Sequence, residues 1–396
     1  MRVLLAHSGL QHSHQLAWAL HEAGDLLAFW SGVPVADPHA PGAGWERVAR
    51  GLRKVPIPGR LRRHPVIFPL LRRLIDWVAP PRLANSAIHR LDQVFDRWVA
   101  RRVGRLRPDV VICYENAALQ TFRAARAAGA VCVLDAASIH YREGARWLSD
   151  TGLSDPPWVH RRKQDELDCA DAILACSPLA AETYRENGVP AAKVYTCALG
   201  TELPSAGTSA KPASEACRFV FVGLILRRKG IDVLLDAFAS LRRNGVQATL
   251  SLIGSVVEED LAARARSMPG VTLQPHLPRD QLFAAIADHD CLILPSRFDA
   301  FGMVVPEGMA MGLPAIVSSR VGAKCIIEQH PDAGWIVPFD AEALREQMQE
   351  LAGNRELLAR KGRAARAAVL DYTWEGYRRR VVDTLRDIHE RTRSSR

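Results

Sequence analysis

The chain is 396 residues long, 48% apolar and 24% charged. That is a globular composition with room for two or three domains, and it excludes general disorder, collagen and extended coiled coil. Basic residues outnumber acidic ones 52 to 43, a net charge of +9, with 26 against 19 in residues 1–200, 26 against 24 in 201–396, and 16 against 4 in 45–107 alone; such a positive segment points to an anionic partner: membrane phospholipid, nucleic acid or a phosphorylated substrate.

The amino-terminal MRVLLAHSGLQHSHQ has an apolar run too short for a signal peptide and reads as a buried first strand. Further strands are predicted at 26–32, 109–115, 131–137, 172–177 and 194–199, with helical stretches between them. Between the second and third lies VPIPGRLRRHPVIFPLLRRLIDWVAPP, residues 55–81. Pro56, Pro58, Pro65 and Pro69 forbid one long helix there and leave two turns at 70–78. Arg60, Arg62, Arg63, Arg72 and Arg73, interleaved with leucines, Phe68 and Trp77, suit an anionic bilayer surface; the alternative is that these side chains pack on the first domain. From His89 to Arg107 a helix is predicted with Leu91, Val94, Phe95, Trp98 and Val99 on one face, ending before Pro108.

Residues 204–217, PSAGTSAKPASEAC from Pro204, are small and polar and read as a linker. A second series of short apolar strands follows at 218–223, 248–254, 271–276, 291–296, 314–319 and 334–339. The division expected is a first domain at 1–203, the linker, a second domain at 218–372 and a closing helix at 373–396. Two doubly wound α/β halves would leave a cleft between them, where such folds bind ligands. The eight cysteines show no two-residue spacing and sit in apolar runs such as VVIC, so a reduced, cytoplasmic protein is expected. No run reaches the 18 or so apolar residues of a membrane span.

Two segments carry chemistry. In CLILPSRFDAFGMVVPEGMAMGLPAIVSS, 291–319, a strand ends at Ser296, a loop brings Asp299, Ala300, Phe301 and Gly302, and a helix opens. Its first amides favour an anion, Gly302 permits close approach to the backbone, and Glu307 is an acceptor suited to paired hydroxyls. In FVGLILRRKGIDVLLDAFASL, 221–241, a strand ends at Val222-Gly223 and a loop carries Arg227, Arg228 and Lys229, cations suited to a diphosphate. Read alone, either segment is also compatible with a solvated loop.

Together these segments resemble the family 4 retaining glycosyltransferases of GT-B fold: VGLILRRKG matches the family's Gly-Arg-Leu…Lys-Gly loop, and DAFGMVVPE its two acids eight residues apart around a Phe-Gly step. Asp171-Ala172-Ile173 with Ser177, His140 after VLDAASI, Gly9 after the first strand, and the tail from Tyr372-Thr373-Trp374 match further family positions. The resemblance implies two Rossmann-like domains facing a cleft, with the last helix returning to the first. It implies that Lys229 holds the donor diphosphate, that Glu307 binds the ribose hydroxyls, and that Asp299 with the backbone of Ala300, Phe301 and Gly302 faces the transferred sugar. Amides of Met303 and Val304 would lie near the diphosphate, Gly9 and Gly223 in glycine loops, and His140 on the sugar from the opposite domain. The family's first acid is usually Glu and is Asp299 here; its Arg after the glycine is Leu224 here, with Arg228 a replacement from the same loop.

The activity implied is transfer of a hexosyl unit from a nucleotide-diphosphate sugar to a hydroxyl of a lipid-linked glycan of bacterial surface polysaccharide, with retention of configuration. The enzyme would act in the cytoplasm or as a peripheral protein on the inner face of the plasma membrane. No cofactor or metal is expected, because fixed cations serve the leaving diphosphate. A GT-B-like nucleotide-sugar epimerase is the competing enzyme. A nucleic-acid-binding protein is the competing class, but no helix-turn-helix, zinc finger or aromatic RNA motif supports it.

Overall fold

Apolar strands separated by amphipathic stretches bury both faces when a parallel sheet is covered by helices on each side. A computed structural model describes residues 1–38, 53–79, 81–151, 155–204 and 216–395. Among them, the first sheet has β1 (Val3–His7), β2 (Leu26–Ser31), β3 (Arg62–Arg63), β4 (Val110–Tyr114), β5 (Val131–Ala136), β6 (Ala172–Ala175) and β7 (Val194–Thr196), in the order β3-β2-β1-β4-β5-β6-β7. The second has β8 (Cys217–Val222), β9 (Ala248–Ile253), β10 (Val271–Gln274), β11 (Cys291–Leu294), β12 (Ala315–Ser318) and β13 (Gly334–Val337), in the order β10-β9-β8-β11-β12-β13. Every pairing is parallel. Strand order reverses beside β1 and beside β8, the switch points at which doubly wound sheets leave a crevice at their carboxyl ends.

The twelve predicted strands are all present. The thirteenth, β3, is a pair of arginines on Phe29 and Trp30 at the sheet edge and has no apolar signature. The predicted helix 89–107 is part of a longer one, Pro81–Leu106, that opens on a proline where the missing N–H has no intrahelical partner. Leu91, Phe95 and Val99 are buried in it as expected, but Val94 is 48% exposed. The helix assigned to 70–78 runs over Ile67–Val78, because Pro69 falls in its first turn and breaks no bond there. Of the linker, residues 205–215 lie outside the described residues.

The two halves are tied in three places. The helix Trp374–Ser394 lies on the helix Ser13–Glu22: Arg378 donates to Glu22 (3.1 Å) and Gln15 (3.0 Å) and covers Trp18, while Arg386 pairs with Asp25 at 3.0 Å. The two crossings of the chain are hydrogen-bonded neighbours, Thr201 N–H donating to Tyr372 O (2.8 Å) and Trp374 N–H to Thr201 O (3.1 Å). Across the mouth, Ser177 Oγ donates to Ala300 O at 2.5 Å and Arg297 pairs with Asp150 at 2.8 Å.

Candidate active site

The carboxyl ends of β1, β5, β8, β9 and β11 converge on one cleft of about 610 Å³, with Gln11, His12 and Ala137 on one wall and Gly223, Gly254 and Asp299 on the other. Lys229 ends the short turn Arg227–Lys229 between β8 and the helix Ile231–Arg243. Gly230 makes the turn possible: its φ is +72°, and a Cβ there would stand 1.9 Å from Pro295 O. Buried Arg297 fastens the turn to the end of β11, donating to Arg227 O (2.6 Å) and binding Asp232 with both terminal nitrogens at 2.9 Å.

The three cations of that turn have different fates. Arg227 is held by Glu258 and Asp260. Arg228 lies 5.3 Å over the Phe298 ring and lines a second cavity of about 340 Å³ rather than the cleft, while its charge still acts on Asp299. Lys229 lines the cleft and donates to the Asp299 carboxylate. Burial works against the charge on Asp299, but Lys229, then Arg228 and the Phe301 N–H, outweigh it and hold its carboxyl below the usual carboxylate range. The Lys229–Asp299 pair is thus a preformed cation and anion at the centre of the cleft.

After Asp299 the chain turns sharply at Gly302, whose φ is +89° and whose Cβ would press on Leu294 and Val321 at 2.9 Å. The helix Val304–Ala310 then opens behind Met303, and Glu307 in its first turn is half-buried on the cleft wall. Gly223, Lys229, Asp299, Phe301, Gly302, Met303, Val304 and Glu307 therefore share one cavity. Ala300 does not line it; its carbonyl accepts from Ser177. Gly9 lies just outside, with its N–H on His7 Nδ1 at 2.9 Å.

His140 is also outside the cleft lining. It is buried at the start of the helix Tyr141–Trp147, where Nδ1 accepts from Arg142 N–H and the ring packs between Tyr141 and Tyr184. Burial, helped by Arg142 and Lys163, lowers its pKa to about 4. The cleft is lined instead by residues that sequence reading did not assign to the site: His12, His14, Arg53 and Trp374. His12 Nε2 is 3.1 Å from Asp135 Oδ1, both side chains buried, and His14 Nε2 is 2.9 Å from Arg53 Nη1. Beside them Asp135 Oδ2, Tyr377 Oη and Trp374 Nε1 are buried with no hydrogen-bond partner among the described residues, and of the three residues only Trp374 lines the cleft. Three of the thirteen histidines fall at 7, 12 and 14; that density after the first strand was the available signal.

Among the described residues no group of three or more His, Cys, Asp or Glu is placed to hold a metal ion. The Asp-x-Asp spacing at Asp288-His289-Asp290 lies ahead of β11 and off the cleft lining, with Asp290 bound to Arg218 and Arg355.

Comparison with known proteins agrees with this geometry. Residues 216–354 match the protein family described as glycosyl transferases group 1. A glycogen synthase of Mycobacterium tuberculosis is 24% identical over 229 residues, 55% of this chain and 53% of the synthase, so the chain spans about half the length of that curated relative. Sucrose-phosphate synthase from Thermosynechococcus elongatus superposes with a TM-score of 0.68 at 19% identity, covering 98% of this chain and 99% of that one. Anabaena Alr3699/HepE, solved in complex with UDP, gives 0.66 at 16% over 98% and 100%. The chain has the GT-B fold, and its second half, over residues 216–354, carries the group 1 glycosyl transferase match.

Proposed function

We propose that the protein transfers a hexosyl unit from a nucleoside-diphosphate sugar to a hydroxyl of a glycan or glycolipid acceptor, with retention of configuration. The observation that carries this reading is the convergence of Lys229, Asp299 and Glu307 on one interdomain cleft. A diphosphate entering the cleft offers Lys229 a second anion. The ammonium shifts toward the leaving phosphate, where negative charge grows in an oxocarbenium-like transition state, and the amides at the start of Val304–Ala310 face the same charge. Asp299, released from its pair, accepts hydrogen bonds from the transferred sugar. Glu307 accepts from the ribose hydroxyls. Relatives described as a glycogen synthase and an alpha-D-kanosaminyltransferase, and a structural neighbour solved with UDP, support a nucleotide-sugar donor.

A thermal-shift screen of nucleotide sugars, followed by mass spectrometry of products with candidate acceptors, tests the reading. Stabilisation by a nucleotide sugar and a product heavier by one hexosyl unit are expected. No response to any nucleoside diphosphate or its sugars would refute it.

A further inference from the structure

Of the fourteen large apolar side chains that stand exposed among the described residues, seven lie within residues 66–83. They surround the helix Ile67–Val78, which is apolar on two sides. One side is inward: Phe68 is buried with its ring 5.2 Å from Phe95, and Leu71 and Ile75 pack on the core. The other is outward: Ile67, Leu70, Leu74 and Val78 are each more than half exposed, and Trp77 is 85% exposed. Their spacing of three and four puts them on one stripe. Arg72 holds the helix to the body through Asp92 at 3.1 Å, so the stripe is fixed in place and facing out.

We propose that this stripe docks on an anionic lipid bilayer, with the helix lying in the plane of the interface. Arg60 and Arg63, just before the helix, and Arg73, on it, are exposed, and the sequence from 53 to 91 contains a single acid, Asp76. A rim of one sign opposes a second copy of the same face, which would bring arginines against arginines. Lipid phosphates neutralise that rim. The twelve-residue helix is about 18 Å long, too short to cross a bilayer but sufficient to lie in its headgroup layer, with the Trp77 indole at the depth such rings prefer. The proposal rests on this surface alone and is independent of the transferase reading.

Flotation of the full chain with phosphatidylcholine vesicles, with and without phosphatidylglycerol, tests it. Binding to the anionic vesicles at low salt, release at high salt, and no binding to the neutral ones are expected. Arg60→Ser/Arg63→Ser/Arg73→Ser should weaken partitioning by about a hundredfold, since each basic residue at such a surface is worth roughly fivefold. Leu70→Ser/Leu74→Ser/Trp77→Ser should weaken it comparably. All six residues are exposed, so both variants should keep the wild-type circular dichroism and melting temperature. Wild-type protein left unbound by anionic vesicles at low salt, equal binding to neutral vesicles, or full binding by the apolar variant would each overturn the proposal. A dimer in light scattering that the apolar variant dissociates, without vesicle binding, would assign the face to a second copy instead.

Discussion

Replacing Lys229 by alanine strips the cleft of its central cation and leaves Asp299 without its partner. Each side chain of the pair is 16% exposed, so solvent compensates little. A charge-assisted hydrogen bond in such a setting contributes about 1.5–3 kcal/mol. Lost from the leaving phosphate in the transition state, that energy lowers kcat by about ten- to a hundredfold. Lost from the free protein, it lowers the melting temperature by about 3–12 °C, at roughly 2–4 °C per kcal/mol for a domain of this size. The stability loss has a definite pH dependence. Asp299 is held below the usual carboxylate range, so its contribution is present above the unfolded-state value near 4 and disappears as pH falls through the lower folded-state value. The gap between wild type and Lys229→Ala should be full at neutral pH and close in acid. Lys229→Ala/Asp299→Ala, with no bare carboxylate left, should regain stability but not turnover. Initial rates across donor concentrations, together with calorimetry against pH, decide the matter. A change confined to KM would show that Lys229 binds donor without acting on the leaving group, and an unchanged melting temperature at neutral pH would refute the coupling to Asp299.

Glu307→Ala should leave the fold intact and weaken nucleotide binding by about ten- to a hundredfold, measured by isothermal titration with UDP; unchanged affinity removes the ribose role. His140→Ala should cost about 1 kcal/mol of stability through the lost cap while donor affinity stays the same. Because the folded protein keeps His140 near pKa 4 against 6.5 unfolded, wild-type stability falls as pH drops from 6.5 toward 4, and this fall should be shallower in the variant by denaturant titration. On the proposed reading, in which Lys229 and backbone amides carry the phosphate charge, transfer should survive a chelator. Complete loss with EDTA restored by Mg²⁺ or Mn²⁺ would contradict that.

The strands were legible because parallel strands covered on both faces are written as uninterrupted apolar runs. The same property blurred their carboxyl ends. Predicted strands overran into Ala137, Cys176, Leu199, Gly223, Gly254 and His276, which are the loop residues lining the cleft. All but His276 are apolar or small, and periodicity cannot tell such a cavity wall from a sheet. On the second half's side, Lys229, Asp299 and Glu307 lie within two short segments whose order is visible in the sequence. The first half's wall was not legible, because His12 owes its position to Asp135, 123 residues away, and Trp374 reaches the cleft from the other end of the chain. Nor can composition show which way neighbouring side chains of one turn point: Lys229 lines the cleft and Arg228 the second cavity.

The adjacency of the two crossings has a consequence for modularity. Residues Gly200–Thr201 and Thr373–Trp374 sit side by side, so closely that a Cβ on Gly200 would stand 2.4 Å from the Thr373 carbonyl carbon. Everything from β8 to β13 is therefore spliced into the first half as an insertion whose entry and exit are neighbours. Such a body can be exchanged for a homologous one without re-routing the surrounding chain. Grafting a homologous module between Thr201 and Thr373 should preserve the first half's sheet and the exposed stripe of its helix Ile67–Val78, and on the proposed reading should change which sugar is delivered.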